Sequence, residues 1–334
     1  MRTWWTDDPN DPDVRSADDP DVRALVEQIA PGSPVSDLGG CFSLNLRLHD
    51  LGLVLRVQQP FVSRGRVLAM RELRRGLLAR GLLTASPRSW HDRDLLSCRG
   101  RWSELESFVP HEKPDPTWAS YRWMYRGMGR LHRTFADLDP TLPRPVVATY
   151  AAPRTLRRWL AVTGPAAAHD EVAEEMARLA GELLPSLAAR WTPATALPTQ
   201  VVHGDVRLGN VGLTSAGETV YLDFGFAATR PRIHDLAYSL AWILLRPDNT
   251  GSAEAFPWQR LPELLGEYED AAETTLSDAE RRALPAYVAA VPMYHVAVAG
   301  YTADPVAKLH EEAGRRSFLR IAKWLLAHPD VSFR

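Results

Sequence analysis

The chain has 334 residues, a hydrophobic share of 45% and a charged share of 24%, which is ordinary for a soluble globular protein with two lobes or domains. Its formal net charge of -2 provides no field that would attract nucleic acid or an anionic membrane. The two cysteines, Cys41 and Cys98, are too few for a disulfide scaffold or a structural zinc site and suit a reducing compartment. No apolar run approaches the roughly 18 residues of a spanning helix, and the N-terminus lacks a signal-peptide pattern, so we expect a cytoplasmic protein.

The first third of the chain predicts a small β-rich lobe. Residues 1–18 are acidic and proline-rich and have no apolar period, which is typical of a loose arm. Apolar positions then alternate or run together in short segments separated by glycine-containing turns, with one longer stretch of helical spacing. The predicted helices are 22–29 and 66–80, and the predicted strands are 35–38, 43–48, 53–57, a piece around Leu95 and 105–109.

The proline-rich segment 109–116 is the clearest linker in the sequence, and the pattern after it is mostly helical. We therefore predict an α+β bilobal fold with a nucleotide-binding N-lobe at 19–108, a hinge at 109–116 and a larger helical C-lobe at 117–330. The predicted C-lobe helices are 117–135, 153–160, 170–190, 234–245, 260–275, 278–300 and 304–327.

One predicted β-hairpin interrupts the helices. It joins the segment His203–Asn210 to the segment Tyr221–Gly225, with strands on either side of a turn at 215–218. A two-residue loop at Ala216–Gly217 would pair Asn210 with Asp223 at the open end. Asp205 lies just upstream.

These three polar residues suit magnesium-dependent phosphoryl transfer. Asn210 and Asp223 offer the hard oxygen ligands that Mg²⁺ prefers, and Asp205 could orient an acceptor hydroxyl and take its proton. Any one of them alone would be read as an ordinary turn residue. Their combination, with Phe224-Gly225 directly after Asp223, favours catalysis.

The N-lobe offers candidates for the nucleotide. Arg56 lies in an apolar strand and needs a partner; Glu72 is the only acidic residue between Val57 and His91, so we expect an Arg56–Glu72 pair that faces the phosphates. No lysine precedes Lys113. An arginine at a strand edge facing water is the alternative.

Two further segments complete the predicted nucleotide site. Gly39-Gly40, followed by Ser43, lies between strands, where small residues let backbone N–H groups approach phosphate, although an ordinary turn is an equally good explanation. Glu106-Ser107-Phe108-Val109 lies where the lobes would meet, and an extended chain there could offer backbone groups to a purine edge.

Two residues near the hairpin are expected to support it, and two compositional features bear on the acceptor. His203 is expected to hold its loop by hydrogen bonds to backbone, and Asp235 to cap a helix and brace the loop. Acidic runs in the C-lobe would suit a polycationic substrate, but solvated helix faces are the preferred interpretation. The eleven tryptophans could form an aromatic box for a quaternary amine, although most should be core.

Together these residues resemble the aminoglycoside phosphotransferase family, a branch of the protein-kinase-like fold that also includes choline, homoserine, fructosamine and macrolide kinases. The part of the resemblance that is most specific to this family is His203-Gly204-Asp205 with Asn210 five residues after the aspartate. The resemblance implies that Asp205 is the catalytic base, that Asn210 and Asp223 hold Mg²⁺, and that Arg56 stands where many members have a lysine. The supporting elements are Gly39-Gly40 with Asn45, Glu72, 106–110, 128–132, 223–225 and 234–237.

The resemblance implies an enzyme that transfers the γ-phosphate of ATP or GTP to a hydroxyl of a small molecule, and an antibiotic is the first expectation for the acceptor. A metabolic kinase acting on choline, an amino acid such as homoserine or a sugar is the alternative, and a non-catalytic pseudokinase is a third. A protein kinase is a lesser option, because no Ala-Pro-Glu follows Gly225. No nucleic-acid, membrane or obligate protein partner is expected.

Overall fold

The computed structural model describes residues 17–39, 43–145, 148–244, 253, 256–314 and 317–328. Its first part contains a six-stranded sheet in the order β1-β2-β3-β7-β5, with β6 also paired to β7, and each of these pairings is antiparallel. The strands are β1 Val35–Asp37, β2 Leu44–Leu48, β3 Leu53–Val57, β5 Pro87–Arg88, β6 Leu96–Cys98 and β7 Arg101–Ser107.

One face of this sheet is covered by helix α1, Pro20–Ile29, which begins after an N-cap by Asp19. Along β2 the leucines at 44, 46 and 48 alternate with less buried residues, because successive side chains of a strand point to opposite faces. The leucines pack with Val22 of α1 in a small core that is separate from the main one. This core gives the sheet a rigid base for the residues on its other face.

Helix α2, Arg64–Ala79, is capped by Ser63 and lies against the other part of the molecule. Its buried residues Met70, Leu73 and Leu77 belong to the larger core. Residues three and four apart share a helix face, so Glu72 falls outside this buried row, and its side chain is 69% exposed.

The second part is mostly helical, as expected. Helix α8 is its centre, since it is buried along nearly its whole length and packs on α4, α5, α6 and α10. The helices are α3 Trp118–Leu138, α4 Pro153–Ala166, α5 Glu171–Arg190, α6 Ile233–Leu244, α7 Leu261–Ala272, α8 Asp278–Ala297, α9 Pro305–Gly314 and α10 Ser317–Ala327.

Two small sheets lie between the N-terminal sheet and the helices. The hairpin strands β9, Val211–Leu213, and β10, Thr219–Tyr221, are joined by β4, Leu83–Thr84, which runs parallel to β10. Strands β8, Thr199–Val202, and β11, Ala228–Pro231, form an antiparallel pair. The sequence patterns predicted neither β4 nor the second pair, because such short segments carry little periodicity.

The predicted register of the hairpin is wrong by one residue. Gly217 has a φ of +80°, and the Thr214 N–H donates to the Glu218 carbonyl, so the loop has three residues. A left-handed glycine in a three-residue loop adds a bulge. As a result the Leu222 N–H donates to the carbonyl of Asn210, and Asp223 lies one position beyond that pair.

No helix among the described residues is long and apolar enough to cross a membrane.

Candidate active site

The loop that carries Asp205 requires glycine at position 204. Gly204 has a φ of +84°, and a Cβ at this position would lie 2.5 Å from the carbonyl oxygen of Phe226. The close approach brings the loop against the segment that follows Asp223. Any larger residue would push the two apart.

Asp235, in the first turn of α6, holds the same loop from beneath. Its two carboxylate oxygens accept the backbone N–H groups of His203 and Gly204, each at 2.7 Å, and the His132 ring lies at 2.9 Å. Burial alone would raise the pKa of Asp235, but the hydrogen bond with His132 and the charges of the neighbouring histidines lower it to about 2. The predicted bracing is therefore observed, although α6 begins at Ile233 and Asp235 lies within its first turn rather than at its cap.

His203 supports the loop from a second direction. Its Nε2 lies 2.8 Å from the carbonyl oxygen of Leu222, so this nitrogen carries the hydrogen. The other ring nitrogen then accepts the Asp205 N–H at 3.3 Å. His203 joins the catalytic loop to the end of the hairpin, which is the supporting arrangement expected for it.

Asp205 is buried, with 3% of its surface exposed. One carboxylate oxygen accepts the Asn210 side-chain N–H at 2.7 Å, and the other lies 3.2 Å from Nε of Arg207. Burial raises the pKa of Asp205 to about 6; Asp223 adds to the rise, while Arg207 and the Tyr238 hydroxyl oppose it. A carboxylate with this pKa accepts a proton more readily than an exposed one does, and it is still ionised at neutral pH.

Asn210 and Asp223 have the donor chemistry of a magnesium site. The Asn210 amide nitrogen is bonded to both the carbonyl and the carboxylate of Asp205, which turns its amide oxygen away from that group. Asp223 has a φ of +56° and a half-exposed side chain, and only its Oδ1 has a partner in the described part of the chain. One amide oxygen and one accessible carboxylate fit a hard divalent cation completed by phosphates and water.

The expected Arg56–Glu72 pair is not formed. Glu72 points outward and pairs with Arg75 of the same helix. The guanidinium of Arg56 instead lies 3.4 Å from Glu106 on β7 and 3.4 Å from Asp223. Burial would lower the pKa of Arg56, but these carboxylates raise it, so the group is firmly cationic.

Two residues absent from the sequence prediction complete this ionic cluster. Arg74, which shares the buried face of α2, pairs with both Glu104 and Glu106. Glu104 lies directly opposite Arg56 in the β3–β7 register. A Glu-x-Glu on the strand beside a buried arginine was the signal available, because residues two apart share a face. Helix α2 and strand β3 each contribute an arginine, and strand β7 contributes the two carboxylates.

The glycine-loop expectations are only partly tested. Gly40 lies outside the described residues. The Gly39 N–H donates to the Asp37 carboxylate at 2.7 Å, so this group already has a partner within the protein. Ser43 borders the same cavity as Arg56 and donates to the Gln58 side chain at 3.2 Å.

The hinge segment expected to face a purine already uses two of its backbone N–H groups within the fold. The N–H groups of Ser107 and Phe108 donate to the carbonyls of Ser86 and Gly52. The Phe108 ring lies under the Arg47 guanidinium, 3.8 Å from its centre. Both N–H groups therefore have partners within the protein, and Glu106 lines the cavity that also contains Arg56.

A cavity lies between the sheet, helix α2 and the end of the hairpin. Arg56, Arg74, Glu106, Asp223 and Ser43 line it. The cavity is therefore lined by the predicted cation, Arg56, by its carboxylate partner Glu106 and by the metal-ligand candidate Asp223.

This bilobal α+β arrangement is protein-kinase-like, and three solved structures share it. An amicoumacin kinase in complex with AMP-PNP, Ca²⁺ and its ligand is 16% identical, with 92% of this chain and 94% of that chain covered and a TM-score of 0.64. A microcompartment-associated aminopropanol kinase is 14% identical over 93% and 98%, with a TM-score of 0.66. An aminoglycoside phosphotransferase from Alicyclobacillus acidocaldarius is 14% identical over 91% and 96%, with a TM-score of 0.53.

The sequence profile of the phosphotransferase enzyme family, APH, matches residues 39–287. No curated protein sequence is a significant match. The chain belongs to the APH phosphotransferase family and is a phosphotransferase that acts on hydroxyl acceptors.

Proposed function

We propose that the protein transfers the γ-phosphate of ATP or GTP to a hydroxyl group of a small molecule, with magnesium. The arrangement of Asp205, Asn210 and Asp223 carries the proposal: a buried carboxylate of raised pKa is bonded to one metal-ligand candidate and lies near the other. Such a set orients an acceptor hydroxyl and leaves hard oxygens for a metal.

In this proposal each residue has one task. Asp205 accepts a hydrogen bond from the acceptor hydroxyl and takes its proton as the phosphorus–oxygen bond forms. Asn210 and Asp223 hold Mg²⁺, which neutralises charge on the phosphates. Arg56 places its guanidinium beside the phosphates, where it takes over the task of a lysine ammonium.

The remaining proposed assignments concern the two lobes. Residues 19–108 would bind the nucleotide, with Gly39, Ser43, Arg56 and Glu106 on its side of the cleft. Residues 117–330 would supply the catalytic loop and the acceptor site, and the linker 109–116 would join them.

An antibiotic is the first candidate for the acceptor, and the solved amicoumacin kinase shares the fold. A metabolic acceptor is the second candidate, since an aminopropanol kinase shares the fold equally well. Expression in an antibiotic-sensitive host distinguishes the two: raised tolerance to one antibiotic class supports the first, and unchanged tolerance to every class supports the second.

The metal assignment is tested with the variant Asp223→Asn. Nucleotide consumption with a panel of antibiotics and amino alcohols should require Mg²⁺ in the parent and fall by about a hundredfold or more in the variant, because a metal ligand is lost. Asp139→Asn is a matched control at a surface position with the same left-handed backbone. Parent-like turnover by Asp223→Asn would disprove the metal assignment.

A further inference from the structure

A second cavity, of about 500 Å³, lies in the helical part of the molecule and has no role in the site described so far. Its walls are largely aromatic. Trp159 stands edge-on to Tyr294 and Tyr301, with ring centres 5.7 and 6.0 Å apart, and Tyr150 lines it as well. The volume is in the range of small-molecule pockets, roughly 300–1,000 Å³.

The cavity adjoins the catalytic loop. Thr149, the residue before Tyr150, donates its hydroxyl hydrogen to the carbonyl of Gly204 at 2.5 Å, and Gly204 directly precedes Asp205. The side chain of Arg144 borders both this cavity and the one beside Asp223. A molecule bound here would therefore lie next to the catalytic loop, on the route to the phosphate side.

The charged groups of this cavity are all positive. Arg144 and Arg230 line it, and no aspartate or glutamate does so in the part of the chain that the structure describes. Neither arginine forms an ion pair with a carboxylate there. Burial lowers the pKa of Arg230, and the charge of Asp235, which does not line the cavity, opposes that shift only in part. Arg66, buried nearby, is close enough that its pKa is lowered to about 10 by burial and by the charge of Arg230.

The Arg230 guanidinium also lacks a neutral hydrogen-bond acceptor with suitable geometry. Its guanidinium lies 3.2 Å from Nε2 of His234, and the same nitrogen lies 2.9 Å from the Thr149 hydroxyl oxygen. Since Thr149 gives its only hydrogen to Gly204, Nε2 must carry the hydrogen of the second bond and cannot accept from Arg230. The Arg230 guanidinium is left against the face of Tyr150, at 5.8 Å.

A cationic acceptor is a poor match for such a pocket. The aromatic walls would attract a quaternary amine, but two guanidinium groups in the same cavity repel it, and no carboxylate lines the described part of the cavity to offset that repulsion. A planar guanidinium fork is suited instead to a carboxylate. The electrostatics therefore favour an anion and oppose the polycationic aminoglycosides.

We propose that the acceptor is a carboxylate-bearing aromatic alcohol, with its ring between Tyr150 and Trp159 and its carboxylate on Arg230 and Arg144. The proposal rests on the proposed function, because the alcohol must face Asp205 for phosphoryl transfer. It adds the charge and the apolar character of the acceptor.

The test compares two probes that share a ring and a primary alcohol and carry opposite charges, one as a carboxylate and the other as an aminomethyl group. They are para-(hydroxymethyl)benzoate and para-(hydroxymethyl)benzylamine, titrated calorimetrically into the full chain with Mg²⁺ and AMP-PNP present. The benzoate should bind about ten- to a hundredfold more tightly than the amine, the range of a charged hydrogen bond. Arg230→Gln should remove that preference and Arg230→Lys should keep part of it.

Arg178→Gln is the matched control, since Arg178 is an exposed arginine of α5 that pairs with Glu175 and Glu182. It should bind both probes as the parent does. Equal or tighter binding of the amine, undetectable binding of the benzoate, or a benzoate affinity unchanged in Arg230→Gln would overturn the inference. Binding of AMP-PNP alone, measured in parallel, reports on the proposed function separately from the acceptor pocket.

Discussion

At the scale of single residues, Asp205 is buried, although the chemical role proposed for it needs its charge. Its pKa is raised to about 6, so the ionised form that accepts a proton predominates only above that pH. The cause is mainly the loss of hydration, which penalises the carboxylate more than the carboxylic acid.

This pKa predicts the pH dependence of the reaction. We expect kcat/KM to be level above about pH 6 and to fall about tenfold for each further pH unit below it, because a single protonation removes the base. A pH series with the nucleotide KM measured at each point checks this. If the acidic side of the pH profile had its midpoint near pH 4, as for an exposed aspartate, the assignment of Asp205 as a buried base would be contradicted.

The same burial predicts that Asp205 reduces the stability of the fold. A folded pKa of about 6 against an ordinary 3.8 corresponds to about 3 kcal/mol in favour of the protonated form. The protonated Asp205 therefore stabilises the fold relative to the ionised form. This contribution to the free energy of unfolding is fully present below about pH 4 and is lost as the pH rises through about 6. Asp205→Asn should therefore be more stable than the parent at pH 7.

Urea unfolding of the parent and Asp205→Asn at pH 7 and at pH 4 measures the effect. The difference between the two proteins should shrink at the lower pH, where the parent is also uncharged. A variant that is less stable than the parent at pH 7 would show that the contacts of the carboxylate with Arg207 and Asn210 outweigh its burial.

At the scale of secondary-structure elements, α6 positions the catalytic loop through Asp235. The pKa of this carboxyl is lowered to about 2, so its contribution to stability is present above about pH 4 and lost as the pH falls through about 2. The direction of the pKa shift is opposite to that of Asp205, although both groups are buried, because the His132 hydrogen bond and the charges of the neighbouring histidines outweigh the effect of burial on Asp235.

Asp235→Asn should lower both stability and turnover. We expect a loss of about 3 kcal/mol in the free energy of unfolding, since one partner of a buried network is removed, and a fall in kcat larger than any change in nucleotide KM. Asp170→Asn is a suitable control, because Asp170 also accepts a backbone N–H, but at the start of α5 and away from the loop. Equal kcat values for the two variants would refute the positioning role.

The ionic cluster between β3, α2 and β7 gives a second prediction at this scale. Glu106→Gln should weaken nucleotide binding or turnover by about tenfold, because it removes a carboxylate that holds Arg56 and Arg74. Glu72→Gln should have no effect on either, since its partner is a surface residue of the same helix. Steady-state kinetics of the two variants tests this prediction. A loss in Glu72→Gln with no change in Glu106→Gln would contradict it and would support the Arg56–Glu72 pair instead.

The sequence predicted the strands and helices of the site well, but it predicted the partners of their charged side chains less well. Strand Leu53–Val57 and helix α5 lie where their apolar periods placed them. Glu72 was assigned to Arg56 by elimination along the chain, whereas the actual partner, Glu106, is fifty residues away in sequence and adjacent only in the sheet. The hairpin register depended on the left-handed Gly217, which a count of residues does not reveal.

At the scale of the whole molecule, contacts between distant segments join the sheet region to the helical region. Arg66 of α2 donates to the carbonyls of Pro143, Gly225 and Ala227, and β4 pairs with hairpin strand β10. The hairpin is thus hydrogen-bonded to both parts, and its end, residues 221–225, lines the cavity that also contains Arg56. The sequence pattern predicted the two parts but not these bonds, which depend on the tertiary arrangement.

The central claim is that Asp205 activates an acceptor hydroxyl for phosphoryl transfer. The most direct measurement is the rate at which the parent and Asp205→Asn form a phosphorylated acceptor, followed by mass spectrometry with ATP and Mg²⁺, alongside the affinity of each protein for AMP-PNP. The account predicts that the rate falls by about a hundred- to ten-thousandfold while AMP-PNP affinity stays near that of the parent. An Asp205→Asn variant that phosphorylates the acceptor as fast as the parent would contradict it.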